Sequence, residues 1–581
     1  MCGILGKISK KVNKQEFKLD LKQLQHRGPD DSGVYFDENI SLGHTRLSLL
    51  DSTSNGHQPM ISRCEDFIII FNGEIYNFKE IKGKLIQKGY KFSSHTDTEV
   101  ILYGYIEYRE KIVAKLNGMF AFSIYDKKTK KLFLARDRSG IKPLYYFQDN
   151  KIFSFSSEIK ILKKYSPGVN FDAKILFLLL GYVPEPFTIN DKIFMFPAGC
   201  YGQYKDGRLE IKKYDEYEYS PKIVKPYSDI VSDVRKLLDA SIKRHLISDK
   251  PVGVFLSGGI DSSIITSIAS QHNPKLQTLS LVFNDKSIDE EYFQNLIVDK
   301  YATNHTKVSV DSDTFLNNID KFMQLMEQPT VDGLNTYFIA KIAKDNGLKS
   351  VLSGVGSDEI FYGYPSFKYS KKLYFLSKIP YSIIKIFGNF GKYKKLELLQ
   401  SEKDLASYLP SRNLFLPSEI SDILKISKAR VYRLIVDLYE NYHYSNIEKI
   451  EDKISFYELN IYMKNQLLRD SDLFSMTNSV EVRTPFLDRE LVDYVLKIAP
   501  RDKFGKYNKN ILVDATIDLL PKEVYSRKKS GFVLPYEKWL VNNIDRFPVQ
   551  KDVLNKFKNG RISWGQFWAV FVLENKFNEK V

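Results

Sequence analysis

One stretch, Val252-Gly-Val-Phe-Leu-Ser-Gly-Gly-Ile-Asp-Ser-Ser263, constrains this chain most. Val252 to Phe255 carries β-formers beside a glycine and predicts a short buried strand. Ser257-Gly258-Gly259 turns the chain, and Ser262 and Ser263 open an apolar helical run through residue 269. A strand that leaves through a glycine-rich turn into a helix N-terminus presents inward backbone N–H groups and the positive end of the helix dipole, which together attract anions. Asp261 repels an anion unless a cation such as Mg²⁺ lies between them. No Gly-Lys here precedes Ser or Thr, so the other common phosphate loop is absent. An ordinary βα turn of a doubly wound sheet is the plainer alternative for a lone SGG.

After this loop, strand and helix patterns alternate. Residues 278–283, 306–310 and 350–352 read as strands, and 289–301 and 336–345 as helices. Such alternation predicts a parallel sheet with ligands at the carboxyl ends of its strands. That rule gathers residues 257–263, the end of the 278–283 strand and Ser353-Gly-Val-Gly-Ser-Asp-Glu359. The N-terminal part differs. Short β-rich segments at 4–8, 47–50, 67–71, 121–125, 132–135 and 152–156 surround helical stretches at 78–88 and 98–108, which predicts a layered α+β domain. A Pro/Gly-rich region at 181–200 reads as the junction. Helices are expected at 231–246, 370–378, 383–390 and 455–477, and a capping loop near the active site over 525–540. The helices of 366–450 read as amphipathic packing elements, with a partner or membrane-surface contact as the alternative.

A chain of 581 residues is too long for one core. Its net charge of +15 is spread along the chain without a long basic run, which argues against nucleic-acid binding. Cys2, Cys64 and Cys200 form no CxxC pair and no even framework, so neither disulfides nor structural zinc is expected, in keeping with a reducing cytoplasm. No apolar run approaches the ~20 residues that cross a bilayer, and lysines interrupt the N-terminus, so neither a transmembrane segment nor a leader is expected. Trp564 and Trp568, at i and i+4, read as core residues of a tail helix.

Met1-Cys2-Gly3 is the second strong signal. Removal of Met1 gives Cys2 a thiol and a free α-amine, a nucleophile and base on one residue. Together with His26-Arg-Gly-Pro-Asp30, His44-Thr-Arg-Leu-Ser48, Phe71-Asn-Gly-Glu-Ile-Tyr-Asn77 and Thr96-Asp-Thr-Glu-Val100, this closely resembles the N-terminal-nucleophile glutamine amidotransferases. The resemblance implies Cys2, Asn72 and Gly73 as catalytic residues: Cys2 attacks the glutamine amide, and the Asn72 side chain and Gly73 N–H form the oxyanion hole. It further implies that Arg46 holds the glutamine carboxylate, that Glu74 and Asp97 meet the ammonium, and that Leu47, Ser48, Leu49 and Leu50 line the pocket. Arg136-Asp-Arg-Ser-Gly-Ile-Lys-Pro-Leu-Tyr-Tyr146 also fits, in an architectural role.

The string SGGIDSS resembles the loop of the ATP pyrophosphatases, and residues 1–545 as a whole resemble the glutamine-hydrolysing asparagine synthetase family. The implied fold is a sandwich-type α+β N-terminal nucleophile domain at 2–200, then an α/β parallel-sheet domain of the adenine nucleotide alpha-hydrolase type at 220–545, with a helical C-terminal part and a tail at 546–581. The implied ATP site comprises Leu256, Ser257, Gly258, Gly259, Asp261, Ser262, Ser263, Val282, Ser353, Gly354 and Lys509, with Asp261 and Asp358 as Mg²⁺ ligands. Small-molecule partners (glutamine, ATP and a carboxylate) follow, and the resemblance allows a homodimer. Arg469-Asp-Ser-Asp472 and Glu481-Val-Arg-Thr-Pro-Phe-Leu-Asp488 fit the family, with salt-bridged structural roles as the plain alternative.

One departure concerns the acceptor. The best-known members read SGEGSDE where this chain has Val355, which does no acid–base chemistry; Asp332, Asp358 and Glu359 are the candidates to replace the missing base. The segment 327–336 is similar to a branch associated with surface-polysaccharide genes. Aspartate is the expected acceptor, with a sugar uronate or another carboxylate as the alternative and an inactive scaffold or sensor as the second.

Overall fold

The structure is a computed structural model that describes residues 2–285, 289–379, 391–400, 403–442, 446–527 and 534–577. The helix expected at 383–390 and the centre of the loop expected at 525–540 lie outside these residues.

The chain begins as two facing antiparallel sheets. The first runs in the order Ile193–Met195, Tyr145–Gln148, Ile152–Ser156, Gly3–Ser9, Ile40–Arg46, Asp31–Phe36. The second runs Arg208–Lys213, Cys200–Lys205, Lys131–Arg136, Gly118–Asp126, Phe67–Ile75, Met60–Ile61. Phe67–Ile75 is apolar on both faces for a reason: Ile68 and Ile70 meet Ile4 and Leu42 between the sheets, while Phe67, Ile69 and Phe71 pack under the helices Phe78–Gln87 and Asp97–Tyr108. Helix Lys14–Lys22 covers the opposite face through Phe17 and Leu21. The result is a four-layer sandwich with Cys2 at the head of the central strand Gly3–Ser9.

One expectation fails here. Residues 47–50 are not a strand but a loop that follows Ile40–Arg46. Their β-forming side chains suit a strand, yet the Arg46 guanidinium draws this backbone around itself. It donates to the carbonyls of Leu50 (3.1 Å), Asp51 (2.5 Å) and Thr53 (3.2 Å).

The second half is built on a parallel sheet in the order Asn304–Ser309, Gln277–Val282, Val252–Phe255, Ser350–Leu352, Glu481–Arg483. The glycine-rich turn leaves the central strand and enters helix Ile260–His272, as expected. The long helix expected at 455–477 is continuous but wider in its middle: Ile450–Tyr457 passes through the π-helical Glu458–Leu468 into Arg469–Met476. Helix Trp564–Lys576 packs through Phe567, Trp568 and Phe571 into the largest core. Among the described residues, no helix is long and apolar enough to cross a membrane.

Candidate active site

Two sites are assembled, one in each half. At the first, the Cys2 backbone nitrogen donates to Asn72 Oδ1 at 2.9 Å. Were Met1 removed, that nitrogen would be the α-amine, held by Asn72. The bond also fixes which way the amide points. Asn72 Nδ2, fully buried, has no hydrogen-bond partner among the described residues. An unmet donor beside a nucleophile suits a developing oxyanion, because burying it idle costs ~1–3 kcal/mol. Gly73 follows at φ +152°, and a Cβ there would sit 2.0 Å from the Met119 carbonyl oxygen, so only glycine fits. Burial pushes the Cys2 thiol above its usual range. Such a thiol can act as a nucleophile only where a base takes its proton.

Arg46 and Ser48 border a cavity of 410 Å³ together with Asp30, Thr53 and His57. Gly56 lies under the guanidinium, where a Cβ would come within 1.9 Å of Nη2. Leu47 and Leu49 instead pack against Met476 of the other half, and Leu50 against the helices of the first. Asp97 stands in the first turn of helix Asp97–Tyr108 and accepts from Ile75 N at 2.8 Å. Burial raises the carboxyls of both Asp97 and Glu74, with Glu481 adding to each and Asp97 adding to that of Glu74. A cationic ligand bound here would favour the ionised forms of both carboxyls. Arg27 secures the nucleophile: its Nε donates to the Cys2 carbonyl at 3.1 Å, while Nη2 pairs with Asp472 of the second half at 2.8 Å.

At the second site the loop closes on itself. Ser262 Oγ accepts from Ser257 N at 3.1 Å, and Gly258 takes φ +73° under Phe293. Lys509 Nζ is the clasp, 2.6 Å from both Asp261 oxygens, 2.7 Å from Asp358 and 3.2 Å from Ser357 Oγ. Burial opposes its charge, but Asp261 and Asp358 outweigh burial and raise its pKa. Gly354 is needed because a Cβ there would lie 2.8 Å from Asp261 Cβ. No group of three or more His, Cys, Asp or Glu side chains among the described residues could hold a metal ion alone. Two carboxylates are what Mg²⁺ usually takes from a protein when phosphate and water complete its shell, so Asp261 and Asp358 fit that ion.

Two adjoining cavities meet here. One, of 270 Å³, is bordered by Leu256, Ser257, Asp261, Ser262, Ser353, Gly354 and Val355. The other, of 560 Å³, is bordered by Ser257, Gly259, Asp261, Asp358 and Lys509. Gly258, Ser263 and Val282, expected in the ATP site, border neither. Asp332 borders both, and Glu359 borders the smaller. Burial, with Asp358 alongside, pushes Glu359 up to about 7; Tyr364 donates to its Oε1 at 2.8 Å, and Oε2 has no hydrogen-bond partner among the described residues.

The sequence reading missed the far wall of the larger cavity. Arg412 comes from the stretch read as packing helices, with its guanidinium 4.2 Å from the Tyr364 ring and 3.7 Å from that of Tyr462, paired with Glu458 at 2.7 Å. Trp564, read as core, instead stacks on Tyr536 (4.5 Å, 23°), and both border the cavity. Trp568 is core as expected, its indole N–H donating to the Thr330 carbonyl at 3.1 Å. No residue pattern near Arg412 signals its role, since it arrives through the tertiary fold.

Comparison with known proteins agrees with both halves. Residues 1–215 match the family described as "Glutamine amidotransferase domain", and residues 233–556 the family described as "Asparagine synthase". Asparagine synthetase [glutamine-hydrolyzing] 1 of Bacillus subtilis is 33% identical, across 94% of this chain and 89% of its own. Asparagine synthetase B of Escherichia coli K12 is 29% identical across 92% and 82%. Amidase chry2 of Gibberella zeae is 26% identical across 92% and 87%. With both domains matched in order and a relative this similar over nearly its whole length, the chain belongs to the asparagine synthase family, carrying an N-terminal glutamine amidotransferase domain.

Proposed function

We propose that this chain is an ATP-dependent ligase that uses glutamine as nitrogen donor to amidate a carboxylate, with aspartate as the leading acceptor. Cys2 attacks the glutamine amide, expels ammonia and forms a thioester, which water hydrolyses to glutamate. At the second site the acceptor carboxylate displaces pyrophosphate from ATP and becomes an acyl-adenylate. Ammonia crosses inside the protein, attacks the acyl carbon and expels AMP. The separation is chemically sensible, since ammonia released into water at pH 7 is mostly ammonium and no longer a nucleophile. Asp261 and Asp358 would hold Mg²⁺, which lends charge to the departing pyrophosphate, and Lys509 neutralises the same charge from the protein side. Asp332 and Glu359 are the groups available to take the proton of the attacking ammonia, where Val355 offers none.

The observation that carries this reading is the pairing, in one chain, of an N-terminal thiol beside an idle buried amide with a glycine-rich loop clasped by Lys509. Asn72→Ala tests the first half. It removes one oxyanion donor and is expected to lower kcat for glutamine hydrolysis by about 10²–10³-fold with little change in KM. Steady-state glutamate release checks this.

A second acceptor reading is favoured by the 560 Å³ cavity with its Tyr536–Trp564 stack and Arg412, which offers an apolar face and polar edge to something larger than aspartate, such as a sugar uronate. Pyrophosphate release measured across aspartate, other amino-acid carboxylates and nucleotide-linked uronic acids decides it. Release with aspartate alone supports the first reading and release with uronates alone the second. No release with any acceptor, and no AMP, would leave only a scaffold or sensor.

A further inference from the structure

The strand Glu481–Arg483 belongs to the parallel sheet, pairing with Ser350–Leu352. Its Arg483 carbonyl accepts from Ser353 N at 2.9 Å, at the start of the nucleotide-facing loop. Its side chain goes the other way, into the first domain. The guanidinium is fully buried and held on two sides: Nε donates to Glu481 at 2.7 Å, and Nη1 donates to the carbonyls of His245 (2.8 Å) and Ile247 (2.7 Å). Tyr76, two residues after Glu74, packs tilted against the His245 ring, with ring centres 3.9 Å apart, at the same junction. With its plane fixed, Arg483 brings Nη2 to 3.4 Å from Glu74 Oε1, an ion pair that lacks hydrogen-bond geometry.

That loose contact matters. A bidentate pair would occupy both Glu74 oxygens. This contact supplies positive charge while leaving them available to a ligand. Of the three buried carboxylates Glu74, Asp97 and Glu481, the Arg483 guanidinium acts on Glu74 and Glu481, and the Lys142 ammonium on Glu481 as well. Burial pushes Glu74 up, Glu481 and Asp97 add to it, and Arg483 is the largest influence pulling it back. Removing that charge favours a neutral Glu74, which binds no ammonium.

We propose that Arg483 is a positioning residue for the glutamine α-amino subsite, reaching from the nucleotide-binding half to hold Glu74 in place, so that the glutamine pocket is complete only with both domains docked. This rests on the reading of Cys2 and Glu74 as a glutamine site. The chemistry recognised is a primary ammonium on the carbon beside the substrate carboxylate, and the residue acts through Glu74 rather than on the reacting amide.

The test compares hydrolysis of glutamine with that of glutaramate, the same amide without the α-amino group, in full-length wild type, Arg483→Lys, Arg483→Gln and Glu481→Gln. The last variant loosens the Nε anchor while keeping the Arg483 charge, and carries the test if the Arg483 variants do not fold. Ammonia-dependent AMP formation is measured alongside as a check on the second site. Arg483→Gln is expected to raise the glutamine KM by about tenfold or more with kcat within about threefold, Arg483→Lys and Glu481→Gln less, and glutaramate kcat/KM and ammonia-dependent turnover to stay within about twofold. Parallel loss of glutamine and glutaramate hydrolysis, loss of ammonia-dependent turnover in step with them, or an unchanged glutamine KM overturns the proposal. Wild-type protein that hydrolyses neither amide refutes the glutamine-site reading itself, a different outcome from selective failure at Arg483.

Discussion

Cys2→Ala is expected to reduce glutamine-dependent AMP formation by at least about 10³-fold while ammonium chloride still supports AMP formation within about twofold of wild type. The asymmetry follows from where the sulfur sits. Cys2 heads the central strand of the first sheet and touches the Asn72 amide and Arg27, whereas the cavities at the SGG loop are bordered by other residues. Losing one sulfur atom removes the nucleophile and leaves the second site its full set of groups. Glutamate release and AMP formation, with glutamine or ammonium as donor, check both halves in one experiment. Loss of both activities together would contradict a division of labour between two sites.

Lys509→Met is expected to do the reverse. It removes an ammonium that sits 2.6 Å from Asp261 and 2.7 Å from Asp358, beside the place proposed for the triphosphate. Loss of one preorganised charge at a site of developing negative charge costs about 10²–10³-fold in rate, and that drop is expected in ATP-to-AMP conversion with either nitrogen donor. Glutamine hydrolysis measured alone is expected to stay within about threefold, because Lys509 lies in the second half. AMP formation within about threefold of wild type would show that the lysine is a structural clasp only.

What the sequence discloses here depends on how local the physics is. The turn at Asn72-Gly73 and the loop at 257–263 are legible because they are short local motifs, and the structure gives each a backbone reason: a glycine at φ +152° against a carbonyl, and serines turned onto their own loop. The alternation after residue 252 foretold the parallel sheet for the same reason. Residues 47–50 misled because β propensity reports side-chain fit, and one buried arginine overrode it. Arg412 escaped notice, and so did the meeting of Tyr536 with Trp564 at one cavity, because these residues converge from separate elements, each with a pattern that suits ordinary packing. The Arg27–Asp472 pair spans 445 residues of chain, and Arg483 reaches Glu74 across the domain junction. Their short motifs were visible, but the junction that makes them relevant to the nucleophile exists only in three dimensions.

The central claim is that nitrogen leaving glutamine at Cys2 reaches the acyl-adenylate without entering bulk water. It is tested by supplying [amide-¹⁵N]glutamine together with excess unlabelled ammonium and the acceptor that supports pyrophosphate release, then measuring ¹⁵N in the product amide by mass spectrometry. The account predicts label in nearly every product molecule, whatever the ammonium excess. Label diluted to the ratio of the two nitrogen sources in solution would contradict it.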